Sequence, residues 1–169
     1  KKKKSASGAR VLLIYTGGTI GMARDHKTGT LKPVDFKQIR DEVPEINKFN
    51  YKVDVVSFNP VIDSSNMEPT HWVDMAEMIR KNYDKYTGFV ILHGSDTMAY
   101  TASALSFMLE NLAKPVVITG AQLPVGEVRT DARENLITAI EIAASTENGR
   151  SIVPEVCVYF DYLLFRGSR

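Results

Sequence analysis

Short apolar runs recur five times along this chain, and they constrain the fold more than any other feature. They are Val11-Leu12-Leu13-Ile14-Tyr15, Val53 to Phe58, Phe89 to Leu92, Val116 to Ile118 and Val156 to Phe160. A strand with one wet face alternates polar and apolar residues, whereas a run apolar at nearly every position must be covered on both faces. Between the runs the period turns helical. Trp72, Met75, Ala76 and Ile79 fall at i, i+3, i+4 and i+7, and Met98, Ala102, Leu105, Leu109 and Leu112 predict one stripe over four turns. A third helix is expected to open near Thr130-Asp131, where either side chain could accept from free backbone N–H groups, and to turn Leu136, Ile137 and Ile140 inward. Strands alternating with helices predict an α/β fold: a mostly parallel open sheet with helices on both faces, because parallel neighbours need crossover connections.

Length and composition fit one such domain. The chain has 169 residues, 44% hydrophobic and 24% charged, enough to bury a core. With Lys1 to Lys4 set aside, 17 basic residues face 20 acidic ones, so the body is mildly acidic. That argues against a nucleic-acid partner, which needs Lys and Arg clustered on the folded surface. Residues 1–9 read as a polar tail and 10–169 as the domain. No stretch approaches the ~18 apolar residues of a membrane span, and Lys1 to Arg10 lacks the apolar segment of a signal peptide. The one cysteine, Cys157, sits in an apolar run and reads as a buried small hydrophobe. A cytoplasmic protein without membrane partners is expected.

Two connections are long for a compact domain, where about 4 to 6 residues is typical: Thr16 to Pro33 and Asn59 to Pro69. In open α/β sheets ligands bind beyond the carboxyl ends of the strands, so the residues after each run are where chemistry is sought. The first run delivers Thr16-Gly17-Gly18-Thr19-Ile20-Gly21, which would present the Thr19 hydroxyl on a loop where backbone can approach a ligand, or simply form a tight turn. Neither G-x-G-x-x-G nor G-x-x-x-x-G-K-[ST] is present, which weakens a nucleotide reading. The second leads to Asp63-Ser64-Ser65-Asn66, whose side chains could bind a polar ligand or make local turns. The third ends in His93-Gly94-Ser95-Asp96-Thr97, where Asp96 could be a helix N-cap and His93 a buried, hydrogen-bonded histidine. The fourth ends in Thr119-Gly120-Ala121-Gln122.

Together these loops gather hydroxyls, a carboxylate and backbone groups at one edge, which suits a small zwitterionic ligand and acyl transfer to a hydroxyl nucleophile. His26, His71, His93 and Cys157 form no short metal motif, so neither a metal nor a cofactor is expected. A Ser-His-Asp triad stays open by counting, but there is no G-x-S-x-G elbow.

Thr16-Gly17-Gly18-Thr19-Ile20-Gly21-Met22 and His93-Gly94-Ser95-Asp96-Thr97-Met98, in this order, resemble the bacterial-type L-asparaginases, in particular the cytoplasmic type I branch. The likeness runs from Arg10 to Arg169 and includes Asp63-Ser64-Ser65, Tyr100 to Leu112 and Thr119 to Gln122. It implies a hydrolase that converts L-asparagine to L-aspartate and ammonia, with Thr19 as the nucleophile that takes the acyl group. By the same resemblance Ser95 positions water or relays a proton and Asp96 holds the substrate α-ammonium. Asp63, Ser64, Ser65 and Gly94 would bind the α-amino and carboxylate ends, and the Ala121 carbonyl the amide nitrogen. The family also implies a homodimer or homotetramer. An amidotransferase component that releases ammonia shares these motifs, and a non-catalytic amino-acid-binding or assembly module is the alternative from another class.

Three departures from the family pattern stand out. Ser95 replaces the usual Thr, keeping the hydroxyl but dropping the β-branch that restricts its rotamer. No Tyr occurs between Tyr15 and Tyr51, where the family has an activating Tyr. The family's Lys follows an Arg-Gly-x-Arg stretch, and this sequence closes on Arg166-Gly167-Ser168-Arg169. The expectation is an N-terminal domain without the family's C-terminal domain, and little activity from the 169 residues alone.

Overall fold

The structure, a computed structural model, describes residues 8–24, 28–33 and 36–169. The Lys1–Lys4 run and His26 lie outside the described residues.

Each of the five apolar runs is a strand of one six-stranded sheet. They are β1 (Arg10–Tyr15), β4 (Lys52–Ser57), β5 (Gly88–Leu92), β6 (Val116–Thr119) and β9 (Val156–Phe160). A sixth strand, β10 (Leu163–Arg166), closes one side, giving the order β10-β9-β6-β5-β1-β4. All pairs are parallel except β9 with β10. Strand β1 lies between β4 and β5, with Val11 opposite both Val53 and Gly88.

Successive side chains of a strand point to opposite faces, so β1 serves two cores. Val11, Leu13 and Tyr15 join a cluster with Ile39 of α1 (Phe36–Glu42) and with Leu136, Ala139 and Ile140 of α4 (Ala132–Ala144). Leu12 and Ile14 join the other, with Met75 and Ile79 of α2 (Pro69–Asn82) and Ala102 and Leu105 of α3 (Met98–Met108). Helices therefore cover both faces, as the apolar runs require.

Several elements differ from the sequence reading. Helix α3 stops at Met108, where Leu109 leaves helical conformation at φ −95°, ψ 77° and Asn111 turns to φ 53°. The stripe is three turns long, and Leu109 and Leu112 reach the same core from beyond the helix end. The long connection Thr16 to Pro33 holds a small antiparallel ribbon, β2 (Met22–Arg24) with β3 (Leu31–Pro33). A second short hairpin pairs β7 (Thr146–Glu147) with β8 (Arg150–Ser151).

Candidate active site

The loops after β1, β4, β5 and β6 meet at the carboxyl edge of the sheet. Beyond β1 the Thr16 hydroxyl donates to the Leu92 carbonyl at 2.8 Å, tying the first loop to the end of β5. Gly17 and Gly18 follow at φ 146° and 87°, a region that favours glycine. A Cβ on Gly17 would stand 2.0 Å from the Ile62 carbonyl oxygen, and one on Gly18 2.5 Å from the Gly94 nitrogen. The first loop is thus wedged between the loops after β4 and β5, and only backbone fits. Thr19 opens a 3-10 turn through Gly21, half-buried, with Ile20 packed beneath it in the core. The Tyr15 hydroxyl donates to the Gly21 carbonyl at 2.9 Å and holds the far side of the turn.

After β4 the chain makes a 3-10 turn at Ser64–Asn66 capped by Asp63. The Asp63 carboxylate accepts from the Ser65 N–H at 3.0 Å and the Ser65 hydroxyl at 2.8 Å, bonds that hold its pKa below the usual carboxylate value. Asp63 and Ser65 are exposed and engage one another. Ser64 is different: it is buried, and its hydroxyl faces Asp96 across a long 3.4 Å contact. Its carbonyl accepts from the Thr97 hydroxyl at 2.7 Å. Gly94 leaves room for this, since a Cβ there would lie 2.3 Å from Ser64 Oγ.

Asp96 caps no helix. The 3-10 turn Ser95–Thr97 begins from Gly94, and α3 from Thr97, neither with a side-chain cap bond. The exposed Ser95 and Asp96 side chains stand at the edge itself. His93 is fully buried and its hydrogen bonds can be assigned completely. Nδ1 lies 2.7 Å from the Gly94 carbonyl, which can only accept, so Nδ1 carries the proton. Nε2 is then the acceptor for the Thr101 hydroxyl at 2.9 Å, and that hydroxyl in turn accepts from Trp72 Nε1 at 2.9 Å. Burial pushes the histidine pKa down, which keeps the ring neutral and the chain of donors intact.

The fourth loop is held by two residues the sequence reading did not single out for the purpose. Asp131, expected as a possible cap of α4, makes no cap bond. Its carboxylate accepts instead from the Gln122 and Leu123 N–H groups at 2.9 and 3.0 Å. Asn135, one turn on and buried, donates to the Gly120 carbonyl at 3.0 Å. Thr130 takes the capping role and accepts from the Ala132 N–H at 2.9 Å. Ala121, between these anchors, is buried, and Gly120 presses on the His93 carbonyl, where a Cβ would come to 2.5 Å. The Asp-x-x-x-Asn spacing is the one available signal, since i and i+4 share a helix face.

The structure therefore brings Gly18, Ser64, Gly94 and Asp96 into direct contact, with Thr19 and Ser95 each following one of the touching glycines. Ala121 joins through Gly120 and His93. Asp63 and Ser65 adjoin the cluster through Ser64. Beside Ser95 a groove of about 350 Å³ runs along α3 to Phe165 and Arg166–Arg169. Among the described residues no three His, Cys, Asp or Glu side chains gather closely enough to hold a metal ion, and no helix is long and apolar enough to cross a membrane. The Cys157 thiol is buried and pushed up to about 12 by burial.

Comparison with known proteins identifies the family and the fold. Residues 10–169 match the family described as asparaginase, N-terminal. The chain is 44% identical to L-asparaginase 1 of Escherichia coli over 94% of its own length and 46% of that protein. It is 40% identical to a component of the glutamyl-tRNA(Gln) amidotransferase of Saccharolobus islandicus, over 90% of this chain and 35% of the relative. The crystal structure of L-asparaginase I from Vibrio cholerae superposes with a TM-score of 0.82 at 43% identity, covering 95% of this chain and 47% of that one. The chain spans less than half the length of each. With a family match over nearly all its residues and a shared mostly parallel α/β architecture, the chain belongs to the asparaginase family and corresponds to its N-terminal portion.

Proposed function

We propose that this chain is the nucleophile-bearing part of an enzyme that hydrolyses L-asparagine to L-aspartate and ammonia. The observation that carries the reading is the contact of Gly18 with Gly94, with Ser64 beside Asp96, because it starts the Thr19 turn and the Ser95-Asp96 turn from one point. In the reaction the Thr19 hydroxyl oxygen bonds to the side-chain carbonyl carbon of asparagine. The carbon–nitrogen bond breaks, and the nitrogen leaves as ammonia with the proton that the hydroxyl gave up. Water then cleaves the ester, regenerating Thr19 and releasing aspartate.

A threonine hydroxyl is a weak nucleophile near neutral pH and needs a base. Ser95 is placed to position the water or pass a proton, and Asp96 to pair with the substrate α-ammonium. Ser64, Gly94, Asp63 and Ser65 bind the α-amino and carboxylate ends, and the Ala121 carbonyl holds the amide nitrogen. Fixed charges at one end of a small substrate let few contacts set its pose. Arg166–Arg169 border the groove beside Ser95, so a segment following Arg169 in a longer parent starts next to the site and can supply the base. We further propose, from the family resemblance, that the parent enzyme is a cytoplasmic homodimer or homotetramer; the free, buried Cys157 of this portion fits a reducing compartment.

Ammonia release by the 169 residues and by a version extended to the length of the relatives tests the reading. The extended protein should turn over asparagine, Thr19→Ala should lower its rate about a thousandfold or more, and the short chain should show little turnover. Full activity of the Thr19→Ala variant would overturn the assignment of the nucleophile. The likeness to an amidotransferase component favours one second reading, in which the ammonia passes to another active site; ammonia retained in a complex rather than released to solution would mark it.

A further inference from the structure

The end of the sheet opposite these loops carries a second concave surface, of about 760 Å³. The start of β1, the segment before β5, the α3–β6 connection and the β7–β8 hairpin wall it. That volume suits a small organic ligand. Its charged lining is Arg10, Lys85, Lys114 and Arg150 against one carboxylate, Asp84. Arg10 is balanced by Asp54 at 2.7 Å, but none of the ion pairs among the described residues involves Lys85, Lys114 or Arg150.

Lys114 is the informative member. It is half-buried, its Nζ donates to the Tyr83 and Tyr86 carbonyls, and it sits 4.6 Å from the centre of the Tyr83 ring. Carbonyl and ring dipoles fix an ammonium in place, but they do not neutralise it, and charges drawn out of water are ordinarily paired. Arg150 reaches the surface from a tight turn in which Asn148 and Gly149 both have positive φ, 51° and 76°, the pattern of a type I′ hairpin. The turn presents the guanidinium from a short, well-defined hairpin.

We propose that this surface binds a phosphate-bearing anion, with the phosphate between Lys114 and Arg150. Three unpaired cations on three separate segments match a compact group of more than one negative charge. A phosphate monoester supplies nearly two charges and three acceptor oxygens, where a carboxylate supplies one charge. The remaining volume beside Leu112 and Pro154 takes the organic part. The site lies at the other end of the sheet from Thr19, so it stands or falls apart from the hydrolase reading.

Titration of the chain with inorganic phosphate and, separately, with adenosine monophosphate, followed through backbone amide resonances, tests it. Saturable shifts are expected at Thr87, Lys114, Gly149 and Arg150, weakening as salt is raised. Tighter binding of the nucleotide assigns an organic phosphate, and equal binding assigns free phosphate. Arg150→Gln lies on an exposed hairpin and leaves the core untouched; it should weaken binding about tenfold, as should Lys114→Met. Absence of saturable shifts at these amides with either probe, or affinity unchanged in both variants, would overturn the proposal.

Discussion

Gly18 is the residue on which the candidate site turns, because its φ of 87° and its approach to Gly94 both exclude a side chain. Gly18→Ala should therefore destabilise the fold by about 1–3 kcal/mol through backbone strain alone, with more from the clash, and thermal denaturation would show it. His93 makes a pH prediction. Burial lowers its folded-state pKa below the usual 6.5, so the unfolded chain binds the proton first as acid is added. The stability that depends on the neutral ring is complete above about pH 6.5 and falls as pH drops toward the folded-state value. Denaturant titrations of the wild type and of His93→Gln should differ in acid slope, the variant being flatter. An equal slope in both would show that His93 is not the group responsible. Tyr15 makes the opposite case at high pH. Its phenol is pushed up to about 12 by burial, so it adds to a loss of stability above about pH 10, where the unfolded phenol ionises; Tyr15→Phe should make that loss shallower without abolishing it, because burial also raises Tyr51 and Cys157.

At the scale of elements, the clamp of α4 on the fourth loop predicts the effect of losing one carboxylate. Asp131→Ala leaves the exposed Gln122 and Leu123 N–H groups to water, at a cost of about 0.5–1.5 kcal/mol, and hydrogen exchange at those two amides should quicken. Unchanged exchange would remove Asp131 from the positioning of Ala121. Strands β1, β5, β6 and β9 were legible in the sequence because covering both faces forces apolar residues at nearly every position, as in Val11 to Tyr15, and the half-buried edge strand β4 through Val53, Val55 and Val56. Strand β10 was not, since its four residues are all exposed and carry no alternation. The end of α3 was hidden because Leu109 and Leu112 stay apolar after the backbone leaves the helix. For the candidate site, the four loops could be located from the ends of the runs. The turning of Asp131 away from its own helix could not, because a cap and a loop clamp need the same residue type at the same place.

For the molecule as a whole, the two ends of one sheet have unlike characters. The carboxyl edge offers hydroxyls, tight glycine contacts and Asp96, whereas the amino edge offers unpaired cations. On the side of the sheet closed by β10, Tyr162, Leu163, Leu164 and Phe165 are 74, 56, 45 and 46% exposed. An edge strand so apolar invites pairing with another chain. The 169 residues should therefore self-associate as concentration rises, and Leu164→Lys should reduce light scattering without lowering the melting temperature. Scattering indifferent to that change would mean the edge is not the sticky surface.

The position of β1, between two strands that come later in the chain, bears on when the site comes into being. This strand leaves the ribosome before either of its neighbours, and its hydrogen-bonding partners are the much later residues Lys52 to Ser57 and Gly88 to Leu92. Until both have been synthesised and docked, the turn that holds Thr19 lacks the walls that Ile62 and Gly94 supply. Under the proposed function, ligand recognition at that edge would mark completed long-range assembly, and a nascent chain truncated ahead of β5 would lack the site however much local helix it had formed.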